Sequence, residues 1–193
     1  MDLGPSLDPT GSSATTSFQW SALGVTFLHV ILGLILFEPT LFPGGDNAGY
    51  LILGDALRNG DGYRDLYAPG TPFHAKYPPV LPLILAVFGS VQVSKFVMLA
   101  CTSLTVWVTA HLGRRIVGDG PALLTALFLA MNPTLLEYGH YILSEAPFIL
   151  LLVLALWATE SKYRWAPVLA MLAASGAFVT RTAGLAILLA RIH

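Results

Sequence analysis

Four uncharged stretches set the terms on which this chain can fold: Ser21 to Phe37 (17 residues), Phe96 to Gly113 (18), Gly120 to Leu136 (17) and Trp165 to Thr180 (16). Crossing the core of a bilayer takes about 20 mostly apolar residues in a helix. With their flanks, several of these runs reach that length. Composition agrees: 55% of the residues are apolar and only 11% charged, against about 25% charged in soluble domains, and the mean hydropathy is positive. The expected architecture is an all-α, polytopic transmembrane helical bundle, integral to the membrane and multi-pass.

The charge balance narrows the function classes. A net charge of -1 supplies no basic patch, so nucleic acid is not an expected partner. The single cysteine, Cys101, lies inside an apolar run; it offers no disulfide framework or metal pair and reads as a small buried apolar residue.

The N-terminal stretch MDLGPSLDPTGSSATTS is rich in Ser, Thr, Gly and Pro and has no Lys or Arg. It is expected to be part of a disordered tail over 1–19, not a cleaved signal, which makes the first apolar run a retained helix at about 20–41. A polar loop follows at 42–76 and a proline-led apolar segment at 77–92. Further helices are expected near 94–115, 120–139, 143–160, 165–181 and from 183 to the end. The chain stops at Arg191-Ile192-His193, about half a membrane helix past Arg181. That reads as the N-terminal part of a longer polypeptide, because a half-span would leave backbone groups unpaired in lipid.

The loop is unusual in such a chain. The segment GGDNAGYLILGDALRNGDGYRDLY, 44–67, holds four of the eleven acids: Asp46, Asp55, Asp61 and Asp65. Asp46 can cap a helix running from about Asn47 to Arg58, and Asn59-Gly60-Asp61-Gly62 has the chemistry of a C-cap and turn. Tyr50, Leu51, Leu53 and Leu57 give that helix an apolar side.

Topology turns on Tyr77 to Val91. Its 15 residues rise about 22 Å as a helix, short of a core of about 30 Å. If the segment does not cross, the polar loop, Lys95, the 138–145 turn and Arg181 share one side, with Arg114, Arg115, Lys162, Arg164 and Arg191 on the other. If it crosses, Arg58, Arg64 and Lys76 join the second group, gathering eight of the ten basic residues on one side. The positive-inside rule taken alone favours the crossing arrangement.

In the non-crossing arrangement four places meet at one face: Asp46, the His74-Ala75-Lys76-Tyr77-Pro78-Pro79 stretch, Leu143-Ser144-Glu145-Ala146-Pro147, and Thr180-Arg181-Thr182-Ala183-Gly184. Charges at the ends of apolar helices are costly unless they snorkel or face a polar cavity, so their gathering is a functional hint. Each also has a structural explanation. Asp46 can be an N-cap, Glu145 a first-turn complement to a helix dipole behind a Ser144 cap, and Lys76 and Arg181 interface anchors. His29 reads as a packed histidine within the first helix. His74, His111 and His140 are scattered without metal-ligand spacing, so the residues themselves specify neither a metal site nor a cofactor.

Taken in order, an early loop Asp, K-Y-P-P-x-x-P-L, an R-R-x-x-G turn, N-P-x-x-x-x-Y, S-E-A-P-F and T-R-x-x-G, these segments resemble the N-terminal half of GT-C superfamily membrane glycosyltransferases. They are most similar to bacterial relatives of protein O-mannosyltransferases and of the lipid A aminoarabinose transferase. The resemblance covers about 20–190, the transmembrane domain being 20–193 with its first outer loop at about 42–92. It implies a 77–91 segment that stays at the surface as a juxtamembrane helix. The implied activity is inverting transfer of a sugar from a polyprenyl-phosphate donor to a hydroxyl of an acceptor glycan, lipid or protein, on the extracytoplasmic face of a bacterial-type inner membrane. Asp46 falls at the family's catalytic acid, Lys76 and Arg181 at donor-phosphate positions and Glu145 at a supporting acid, with His74 and Tyr77 as further candidates. A divalent metal belongs to some relatives; here Asn47 stands where they have a second loop acid, and His74 where they have an acid near the lysine. The rival classes are a transporter, for which an internal repeat or midplane charge is the expected sign, and a non-catalytic membrane subunit.

Overall fold

A computed structural model describes residues 9–41 and 46–186 of the chain, with side chains for 15–41 and 46–186. Among the described residues there are eight α-helices and no strand, only an isolated bridge between Arg64 and Phe73. The helices are α1 Pro9–Ile35, α2 Asn47–Asn59, α3 Val80–Phe88, α4 Val91–Val117, α5 Asp119–Ala130, α6 Pro133–Tyr138, α7 Glu145–Thr159 and α8 Ala166–Thr180, and a 3-10 turn at Thr182–Gly184 follows. Among the described residues two stretches are long and apolar enough to cross a membrane: Thr15–Ile35 and Val91–Val117.

Helix boundaries differ from the sequence expectation in several places, and α1 ends at Ile35 instead of near 41. The first helix begins at Pro9, so 9–19, expected as tail, is helical; proline suits a first helical position because the amide it lacks has no partner there. The stretch expected as one helix over 120–139 is two. Pro133 cannot continue a helix, and the Asn132 side chain caps α6 by accepting from the Leu135 amide at 3.1 Å. Beyond Thr180 only Arg181, the 3-10 turn, Leu185 and Ala186 are described, and the rest of the helix expected from 183 lies outside the described residues.

The buried seams are built from alanine. Ala22, Ala110, Ala122, Ala126 and Ala130 fill the contact of α1, α4 and α5, and Ala155, Ala173 and Ala174 that of α7 and α8. The large apolar side chains point outward, among them Phe27 and Leu34 on α1, Phe128 on α5, and Met171 and Leu172 on α8. Small residues let helix backbones approach closely, which is how helices associate when the surroundings are as apolar as their side chains. His29 is fully buried in one such seam, bonded to the Ala130 carbonyl at 2.8 Å and Thr102 Oγ1 at 3.0 Å. It is the packed histidine the sequence suggested.

The C-terminal punctuation of the loop helix is observed. α2 ends at Gly60, whose left-handed φ of 82° points its amide back at the Ala56 and Leu57 carbonyls. The chain then doubles back through His74 N to Tyr63 O (2.9 Å) and Asp65 N to Pro72 O (3.0 Å), returning Lys76 and Tyr77 to the start of α2. α3 is nine residues long, a rise of about 13 Å against a bilayer core of about 30 Å. It packs on α2, and Leu81 and Leu85 join Tyr50, Met98, Ile142 and Ala146 in one buried cluster. That cluster fastens the loop onto α4 and α7.

Candidate active site at the loop end of the bundle

Asp46 occupies the N-cap position of α2 without capping it: its side chain makes no cap hydrogen bond. The capping role expected for it is corrected by a better donor 31 residues away. Tyr77 donates from its hydroxyl to Asp46 Oδ1 at 2.6 Å, and Lys76 Nζ stands 3.6 Å from the same oxygen and donates to the Tyr77 hydroxyl at 3.3 Å. Gly49 makes this possible, since a Cβ there would stand 2.7 Å from the Tyr77 ring. Burial, followed by the bond to Asp46, raises the Tyr77 phenol above its ordinary range, so Tyr77 stays a donor. Lys76 is raised as well, first by its bond to Tyr77 and then by the Asp46 charge. It therefore stays a cation.

The opposite wall comes from α7 and the end of α8. Arg181 pairs through Nη1 with Glu145 Oε1, and the same nitrogen donates to Ser144 Oγ at 3.4 Å. Tyr50 donates to that hydroxyl oxygen from the loop side at 3.2 Å. Ser144, expected as a helix cap, makes no cap bond and instead bridges the two walls. Glycine again permits the geometry: the 3-10 turn folds back so closely that a Cβ on Gly184 would lie 2.4 Å from the Phe178 amide nitrogen. The T-R-x-x-G spacing is thus a turn that carries Arg181 into the cavity.

These groups line one cavity of about 270 Å³. It holds two cations and two acids, each cation beside an acid, with the hydroxyls of Tyr50 and Tyr77 on the loop wall and that of Ser144 opposite. The Asp46 side chain remains 47% exposed, so an incoming hydroxyl can reach it. Asp46, Lys76, Tyr77, Glu145 and Arg181 are all brought together here. No family model, curated protein or solved structure matches the chain. The chemistry therefore has to be argued from the cavity itself.

His74, named as a further candidate, does not line the cavity. Its Nε2 accepts from the Tyr77 amide at 3.0 Å, which places the ring proton on Nδ1, 3.3 Å from Asp65. The imidazole also stacks on the Tyr77 ring, with centroids 4.8 Å apart. It is a positioning residue for Tyr77. Asn47 is likewise structural: almost fully buried, it accepts from the Ile142 amide at 2.8 Å and ties α2 to the turn before α7. Among the described residues no three His, Cys, Asp or Glu side chains gather as metal ligands.

Tyr50 and Ser144 are the cavity residues that the sequence reading did not assign to the site. Their signals were spacing and adjacency. Tyr50 stands four residues after Asp46, hence one helical turn along the same face, and Ser144 immediately precedes Glu145.

Proposed function

We propose that this protein is an integral, multi-pass membrane glycosyltransferase of the GT-C type, transferring a sugar from a polyprenyl-phosphate donor to an acceptor hydroxyl on the extracytoplasmic side. The observation that carries the reading is the convergence of Asp46, Lys76, Glu145 and Arg181, from four separate segments, on one cavity. A membrane placement is supported by the inside-out distribution of residues, with alanine buried and Phe128 and Leu172 at 70% and 67% exposure. Multi-pass topology is supported by α7, which starts at the cavity and reaches Arg115 near the far end of α4, where Arg115 Nη1 donates to the Trp157 carbonyl at 3.0 Å. In this reading α3 lies along the surface, because it is too short to span.

The residue types match the demands of the reaction. As the acceptor oxygen bonds to the anomeric carbon, its proton passes to Asp46 and the carbon–oxygen bond to the phosphate breaks. Polyprenyl phosphate departs with the electron pair, and attack from the opposite side inverts the anomeric centre. Tyr77 fixes Asp46 through one oxygen only. Lys76 and Arg181 stabilise the charge growing on the phosphate, and Glu145 and Ser144 hold Arg181 in place before the substrate arrives.

The test is transfer of labelled sugar by membranes that contain the full-length protein. Asp46→Asn is expected to lower turnover about 100-fold to 10,000-fold, the range associated with loss of a general base, with membrane insertion unchanged. Undiminished turnover would remove Asp46 as the base.

A further inference from the structure

A second polar cavity, also about 270 Å³, lies at the junction of the end of α1, the start of α4 and the turn after α6. It takes no part in the proposed transfer. Its interior holds Lys95, 2% exposed, and His140, 7% exposed. Lys95 Nζ donates to the Glu38 and Thr40 carbonyls at 2.6 and 2.5 Å, which leaves one of its three N–H groups for a further acceptor. Both ring nitrogens of His140 are buried without a hydrogen-bond partner. Such groups are rare in folded chains because an unpaired buried donor or acceptor is unfavourable. At the rim stand the exposed carboxylates of Glu38 and Glu137. The sign of charge therefore changes from positive inside to negative at the mouth.

Next to this cavity an apolar groove of about 440 Å³ runs between α1 and α4, lined by Val30, Leu34, Phe96, Ala100 and Leu104. Phe37 links the two: its ring is edge-on to His140 at 5.9 Å and stacked on Phe96 at 4.8 Å.

We propose that the cavity binds the phosphoethanolamine headgroup of a membrane lipid, phosphate against Lys95 and His140, ammonium against Glu38 and Glu137, with an acyl chain in the α1–α4 groove. The order of charges selects this class. A free anion would have to pass two carboxylates, and a simple cation would meet Lys95. A quaternary ammonium has no N–H to donate to the rim. Burial, then Lys95 and His29, push the His140 imidazole below its usual range, so it is neutral and offers one donor and one acceptor. The phosphate oxygens accept from the His140 N–H and the remaining Lys95 N–H, and the ammonium donates to the rim carboxylates. The inference rests on the membrane placement of α1 and α4 and not on sugar transfer, so loss of the transferase reading would leave it standing.

The experiment uses the full chain purified in detergent and incubated with an equal mixture of phosphatidylethanolamine, phosphatidylglycerol and phosphatidylcholine of matched acyl chains. Retained lipid is read by native mass spectrometry. Retention of the ethanolamine lipid about tenfold over the other two is expected, the ratio that a charge-assisted hydrogen bond supports. In Glu38→Gln/Glu137→Gln that preference should fall to parity, and His140→Phe should lower retention of all three lipids. Lys95 is left intact because it also ties the end of α1 to α4. Equal retention of the three lipids by the unaltered chain overturns the proposal. So does full preference in the double variant at unchanged helical content. Inorganic phosphate that displaces the lipid as well as soluble glycerophosphoethanolamine does also overturns it, since the site would then read a free anion alone.

Discussion

The two ends of the helix bundle carry similar charges and put them to different use. At the loop end, Asp46, Lys76, Glu145 and Arg181 come from segments up to 135 residues apart (181 − 46) and meet around a cavity that also holds the Tyr50 and Tyr77 hydroxyls. At the other end the ion pair is local, and the long-range partner is a backbone carbonyl and a ring, not a second charge. Arg114 pairs with Asp119 five residues on, at 2.9 Å, and Arg115 lies over the Trp157 ring, 4.7 Å from its centroid. Ion pairs alone therefore do not mark a site. Long-range convergence is the observation on which the proposed site rests, because ordering charges from distant segments is costly and a local pair would serve an interface anchor equally well.

Substitutions at the two ends should separate them sharply. Arg181→Ala removes the cation proposed to face the donor phosphate and leaves Glu145 without its ion-pair partner. Transfer is expected to fall about 100-fold, with the loss concentrated in dependence on the lipid donor when donor and acceptor are titrated separately. Equal loss toward both substrates would assign Arg181 to structure. Gly184→Ala should act through the fold: its Cβ would meet the backbone of Ala177 and Phe178 at 2.4 to 2.6 Å, and overpacking of this kind costs about 1–3 kcal/mol. Thermal unfolding in detergent would show it, together with reduced donor use as Arg181 shifts. The smallest effect belongs to the far end. Arg114→Ala breaks a partly exposed pair and should change stability by about 0–1 kcal/mol, with transfer unaffected.

The same contrast explains what could be read in advance. Elements set by local rules were legible: the Gly60 stop of α2 and the short proline-led α3 both follow from neighbouring residues. The helix break at Asn132-Pro133 was legible in principle, as Pro133 supplies the signal and Asn132 the cap. The contribution of Asp46 was harder to see. From its neighbours it is an ordinary cap; only a fold that returns Tyr77 to within 2.6 Å supplies the stronger donor. Ser144 misled for the same reason, since its partners Tyr50 and Arg181 are 94 and 37 residues distant. His74 was placed in the right neighbourhood with the wrong duty, because the sequence shows adjacency to Tyr77 but not that the ring turns back to hold the Tyr77 amide.

The most direct test of the account is a two-site accessibility measurement in intact cells, on a Cys101→Ser background, using a membrane-impermeant maleimide. Asp61→Cys, on the exposed turn after α2, reports on the convergent end, and Lys162→Cys reports on the other. The account predicts rapid labelling of Asp61→Cys from outside, with Lys162→Cys labelled only after the membrane is opened. Labelling of Asp61→Cys only after opening would put the cavity on the cytoplasmic side and contradict the proposed outer-face transferase.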